Sequence, residues 1–175
     1  MTKPISDRLL RRFCAPDIRR RGDTVPTTLG RYTYAENGSI FIRVPVIKKY
    51  PRVAQRDLRG NQRYYETTIP SLKGMRFVPF DLPPAPLYAE QYCHRCDGAK
   101  LIAGDRSEGC TVCYGTGLGG HYDPVPVGNT FIAWHYLHLI SLLPQPRLAF
   151  QPAATDFVPF RFDGGVGVVA PKLPI

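Results

Sequence analysis

The sequence predicts an α+β fold with two helix-plus-antiparallel-strand halves, residues 1–87 and 123–175, flanking a cysteine-bearing insert at 88–122. Three observations point there. Eighteen prolines and 16 glycines in 175 residues argue against a helical bundle and for short strands joined by turns. Only two stretches, near residues 5–14 and 129–143, space apolar residues as a helix does. The segments YAENGSIFIRVP and FRFDGGVGVVAP align without a gap, and each reads as a hairpin that follows a helix. Apolar residues make up 43% and charged residues 21%, a globular balance in a chain long enough to bury a core without disulfides.

The elements follow in order. Residues 5–14 read as a short helix capped by Ser6 or Asp7, with Ile5, Leu9, Leu10 and Phe13 on one stripe. Residues 15–30, rich in Pro, Arg and Thr, read as loop. Residues 31–46 read as a hairpin turning on Asn37-Gly38, a type I′ pair with positive φ at both positions. Residues 62–69 and 76–80 are further strand candidates. Residues 129–143 read as the main, largely buried helix, capped by Asn129 or Thr130 and stopped by Pro144 and Pro146. Strands follow at 147–151, 156–162 and 166–170, with Asp163-Gly164-Gly165 as the second hairpin turn. Phe-Val-Pro-Phe occurs twice, at 77–80 and 157–160, and reads as two edge or boundary strands that tolerate proline.

The insert carries the sharpest chemical signal. Cys93-x2-Cys96 and Cys110-x2-Cys113 are separated by 13 residues. Each pair aims two thiolates at one point, and two such pairs supply the four soft ligands of a tetrahedral Zn2+ site. With all four positions filled by protein, that zinc is structural, one per chain. Iron fits the same four sulfurs, and His94 or His121 could stand in for a cysteine. The fifth cysteine, Cys14, reads as a buried apolar residue on the first helix. Cys110-x2-Cys113-x-Gly115-x-Gly117 resembles the repeat unit of the cysteine-rich region of J-domain co-chaperones. That resemblance covers about 25 residues and implies a small zinc module; no His-Pro-Asp motif accompanies it.

Charge is uneven. Residues 1–63 hold 15 Lys/Arg against 5 Asp/Glu, whereas residues 64–175 hold 8 against 9. The basic half presents Arg8, Arg11, Arg12, Arg19, Arg20 and Arg21, then Lys48, Lys49, Arg52, Arg56, Arg59 and Arg63. A positive field of this kind draws polyanions, and these twelve residues are the candidate nucleic-acid contacts. Tyr50, Tyr64 and Tyr65 lie among the second group, where rings can stack on bases or simply anchor a strand.

Tyr34-Ala35-Glu36-Asn37-Gly38-Ser39-Ile40-Phe41-Ile42-Arg43-Val44, Trp134-His135-Tyr136-Leu137 and the closing Val168-Val169-Ala170-Pro171 resemble a single domain of the bacterial DNA polymerase sliding clamp. In that family a short turn leads into a strand bearing a basic residue, and the last strand ends in Met-Pro. The resemblance implies two β-α-β-β-β halves and places Arg8, Arg11 and Arg12 on a DNA-facing helix that contacts phosphate without reading bases.

No phosphate loop and no nucleophile elbow occurs, and the carboxylates show no pairing pattern for acid–base work. His135 and His138 read as packed rather than liganding. The sequence therefore predicts a non-enzymatic, zinc-containing nucleic-acid-binding protein of replication or of a mobile element such as a phage. The partner would be DNA, or in the alternative an acidic protein that docks on an adaptor or inhibitor. The 13-residue apolar run 131–143 is too short to cross a bilayer. Met1 to Leu10 has no secretory pattern, which predicts a cytoplasmic protein. Elemental analysis is expected to find about one metal ion per chain, and Cys96→Ser to lower that content.

Overall fold

Apolar residues at 32–36, 40–45, 158–162 and 165–169 build the centre of the molecule: successive side chains point to opposite faces, so Ile40, Ile42 and Phe160 are buried on one face and Tyr34, Phe41 and Val168 on the other. The computed structural model describes residues 5–15, 25–52, 72–85, 92, 99, 101–102, 105–109, 123–150 and 157–172. It is mixed α+β, with mostly antiparallel strands and few helices.

A seven-stranded sheet runs through both ends of the chain. Its strands are β1 (Thr27–Leu29), β2 (Tyr32–Glu36), β3 (Ile40–Pro45), β4 (Phe77–Pro79), β9 (Arg147–Ala149), β10 (Val158–Phe162) and β11 (Gly165–Val169). They lie in the order β1-β2-β3-β11-β10-β9-β4. The join between the two ends is the antiparallel pair β3–β11, in which Ile42 faces Gly167 and Arg43 faces Val166. Two smaller hairpins lie outside this sheet. One pairs β5 (Leu101–Ile102) with β6 (Asp105–Gly109), and the other pairs β7 (Pro124–Val127) with β8 (Thr130–Ala133).

Two helices cover one face of the sheet. Helix α1 (Asp7–Arg11) starts where Ser6 accepts a hydrogen bond from the Leu9 N–H at 3.2 Å. It lowers Leu10 and Phe13, both fully buried, onto Ile40, Ile42 and Phe160. Helix α2 (Trp134–Ser141) adds Leu137 and Ile140 to the same core, and β8 adds Ile132. Each such side chain contributes about 1.5–3 kcal/mol by leaving water. Cys14 is buried in this core. On the opposite face, among the described residues, Leu72, Met75 and Phe157 pack over Tyr34, Phe41 and Val168, which are buried.

Several expectations need correction. Residues 130–133 are strand β8, not the first turn of the main helix; the turn at Gly128, with φ 58°, folds the β-branched Thr130 and Ile132 back onto the Pro-Val-Pro-Val run. Helix α2 therefore begins at Trp134 with Ala133 as its cap position, and no side chain caps it. Within residues 15–30, read as loop, Thr27–Leu29 form β1. The first hairpin is not type I′ on Asn37-Gly38. Only Gly38 takes positive φ (86°), and the Asn37 Oδ1 instead accepts from the Ser39 and Ile40 N–H groups at 3.1 and 3.0 Å. That shifts the loop to Gly38-Ser39, while the second hairpin turns on Asp163-Gly164. The gapless alignment of the two segments is thus off by one: by strand register Gly38 matches Asp163, not Gly164. A one-residue slip of that kind would exchange the two faces of the sheet. Of the two Phe-Val-Pro-Phe strings, the first lies in edge strand β4, whereas β10 is interior; Pro159 is tolerated because β9 pairs only with Phe160 and Arg161. The strand candidate 62–69 lies outside the described residues.

Gly167 is where β3 and β11 come closest to the aromatic core. A methyl group there would run into the Phe160 ring and the Phe41 carbonyl. Gly167→Ala is expected to destabilise the fold by about 1–3 kcal/mol in denaturant titration, as overpacking does.

Candidate functional site

The two basic segments of the first half meet in space. After β3 the chain curls back along the outer side of β1. The Ile47 N–H donates to the Thr33 hydroxyl at 2.8 Å, and the Thr28 N–H to the Pro51 carbonyl at 2.8 Å. The Thr28 and Thr33 hydroxyls, 3.0 Å apart, brace this return from inside. Lys48 and Lys49 are thereby carried on an exposed turn, and Arg52 bridges to Thr28 beside β1.

That turn abuts α1. The two oxygens of the Asp7 carboxylate are shared, with Lys49 Nζ 2.8 Å from Oδ1 and Arg11 Nε 3.3 Å from Oδ2. Tyr50 is buried beneath them, and its ring lies 5.3 Å from Lys49 Nζ and 5.7 Å from the Arg11 guanidinium, within cation–π range. Arg8 and Arg12 are exposed on the same helix and its cap, and Lys48 is exposed on the same turn as Lys49. Two cations, Arg11 and Lys49, thus meet on one carboxylate. The hydrogen bond from Lys49, aided by the Arg11 charge, holds Asp7 below the usual carboxylate range against the opposing effect of burial.

Of the twelve candidate contacts, Arg11 and Lys49 are brought together on Asp7, Arg8, Arg12 and Lys48 are exposed on the two segments that carry them, and Arg52 lies at the β1 edge. Arg19, Arg20, Arg21, Arg56, Arg59 and Arg63 lie outside the described residues, as do Cys93, Cys96, Cys110 and Cys113. Tyr50 is an anchor rather than an open stacking surface; Tyr64 and Tyr65 are outside the described residues. His138 stacks on Trp134 with ring centroids 5.2 Å apart, and the Trp134 indole N–H donates to the Pro83 carbonyl at 3.1 Å. Burial, with the Arg12 charge, pulls His138 below the ordinary imidazole range, so it adds no charge here at neutral pH.

A second set of cations lies on the face of the sheet opposite α1 and α2; of these only Arg43 figures in the sequence reading, within the clamp-like segment and not among the twelve contacts. Arg43 sits 4.3 Å over the Tyr32 ring, and Arg161 4.2 Å over the Phe77 ring. Arg161 faces Arg147 directly across β10–β9. The signal was strand alternation: Arg43 stands between buried Ile42 and Val44, and Arg161 between buried Phe160 and Phe162.

Because Asp7 titrates low, the stabilisation from its pairing is complete above the unfolded carboxylate value of about 3.9 and is lost as pH falls through the lower folded value. An NMR titration is expected to place Asp7 below about 3.9, with the α1 amides following it; a value at or above 3.9 refutes the pairing. No protein-family model, no curated protein and no solved structure matches the chain.

Proposed function

We propose that this chain is a non-enzymatic nucleic-acid-binding protein whose α1 and 48–52 segment contact the phosphate backbone, with a structural zinc in the insert. The observation that carries the reading is the convergence of Arg11 and Lys49, far apart in sequence, on the single carboxylate of Asp7, which joins two segments that also expose Arg8, Arg12 and Lys48. Cations gathered in this way concentrate a positive field where a polyanion can use it. Arg8 and Arg12 stand four residues apart on one side of α1, a spacing suited to successive phosphates and not to base edges.

The zinc part of the reading draws support from the β5–β6 hairpin between the two cysteine pairs. Leu101 pairs with Gly109, so the chain leading back to Cys96 and on to Cys110 leaves the hairpin from neighbouring positions, as a single four-sulfur site needs. The two-halves reading draws support from strand order. The run β1-β2-β3 mirrors β9-β10-β11 across the Ile42–Gly167 pair, and each run follows a helix. This is the arrangement that the sliding-clamp resemblance implies, and a replication or mobile-element role follows from it.

The test uses the full chain with its metal and short labelled DNA at increasing salt. Binding is expected at low salt and to weaken steeply as salt rises. Replacing Arg8, Arg11 and Arg12 together with alanine is expected to lower affinity and to flatten the salt slope by about 2–3, with the fold retained as read by circular dichroism. Absence of binding at low salt overturns the reading. So does a pull-down partner that persists after nuclease treatment when no DNA shift is seen; that result favours the adaptor.

A further inference from the structure

We propose that the face of the sheet opposite α1 and α2 is a platform for single-stranded nucleic acid, with Arg43, Arg161 and Arg147 on its phosphates and Tyr32 stacking on a base. The inference rests on the nucleic-acid reading above and adds to it the class of strand and a second surface.

Register places the three arginines in one row. Arg43 faces Val166, Val166 faces Arg161, and Arg161 faces Arg147. Directly paired residues project from the same side of a sheet, so the row crosses β3, β11, β10 and β9 over about 14 Å at the usual strand spacing. This side is opposite the one on which α1 buries Leu10 and Phe13 against Ile42 and Phe160. Arg11 and Lys49, which meet at Asp7 on α1, therefore belong to another surface.

Two features show what this row is suited to hold. Like charges facing each other across a ladder destabilise a sheet, and among the described residues no carboxylate forms an ion pair with Arg43, Arg147 or Arg161. Glu36, which pairing with Phe41 places on this face, is buried, and its Oε2 accepts the Gly38 N–H at 2.7 Å. An anion laid along the row turns the Arg161–Arg147 repulsion into attraction. The rings, moreover, lie among the charges. Tyr32 lies against the Arg43 guanidinium, meets Tyr34 edge-on with centroids 6.4 Å apart, and keeps 39% of its surface open. Phe77 lies against the Arg161 guanidinium. An exposed ring in a basic row suits a base with a free face. An unpaired strand offers such bases, and the body of a duplex does not.

The test compares a labelled oligothymidylate of about 12 nucleotides with a duplex of equal length, using the full chain with its metal. Arg43→Gln with Arg161→Gln is expected to lower oligothymidylate affinity at least about ten-fold and to reduce the salt slope by about 2, with a smaller effect on the duplex. Tyr32→Leu is expected to lower single-strand affinity about five-fold or more at unchanged salt slope, since stacking releases no counterions. If the wild type binds oligothymidylate and these variants bind it equally well, or if it binds only duplex, the platform is refuted while the nucleic-acid reading stands. If it binds neither at low salt, both fall. Photo-crosslinking of the wild type to a 5-iodouracil strand gives a readout that does not depend on variants folding. Crosslinks at Tyr32 or Phe77 support the platform, and crosslinks confined to other residues overturn it.

Discussion

The antiparallel pairing of β3 with β11 is the constraint on which the rest of this structure depends. It closes a loop of well over a hundred residues, a cost in chain entropy that local hairpins do not bear. What offsets that cost is burial on both sides of the pair: Ile40, Ile42 and Val169 toward the helices, Phe41 and Val168 away from them. The pair is central because neither end of the chain can make a sheet of this width alone. The amino-terminal part contributes β1 to β4 and the carboxy-terminal part β9 to β11, and only their junction gives α1 and α2 a common floor. The absence of a side chain at position 167 belongs to the same constraint, since the Phe160 ring occupies the space a methyl group would need.

Much of this architecture was legible in the sequence, for reasons that differ by element. The hairpins at 32–45 and 158–169 could be read because their signals are local: period-two alternation on either side of a glycine turn. Helix α1 could be read from Ser6 and from the spacing of Leu10 and Phe13. Residues 130–133 could not be placed by the same means. Phe131 and Ile132 continue the apolar spacing of α2, and only pairing with residues 124–127 settles them as strand. Periodicity cannot separate a short buried strand from the first turn of a helix when the two are joined without a break. The one-residue shift at Asn37 had a similar origin, because the Asn37 side chain competes with the backbone geometry the dipeptide otherwise favours.

The candidate site divides along the same line. That residues 1–63 are basic is a matter of counting. That Arg11 and Lys49 share one carboxylate, while Arg52 stands along β1, depends on the chain turning back after β3 and being held by the Thr28 and Thr33 hydroxyls. The arginines of the open face were hidden in a different way. Arg147 and Arg161 come from a half with no excess of positive charge, so composition gave no reason to select them. Their neighbourhood is created by strand order alone, which joins residues from opposite ends of the chain.

The two outer strands of the sheet carry a further implication. Beside β1 the backbone at Thr28 is already engaged by Pro51 and Arg52, and on β4 the outermost strand includes Pro79, which has no amide hydrogen to give. Lateral growth by strand addition, the route by which exposed sheet margins recruit other polypeptides or self-associate into fibrils, is therefore obstructed at both flanks. Among the described residues, the broad surfaces of this sheet are thus better placed for contact than its two margins.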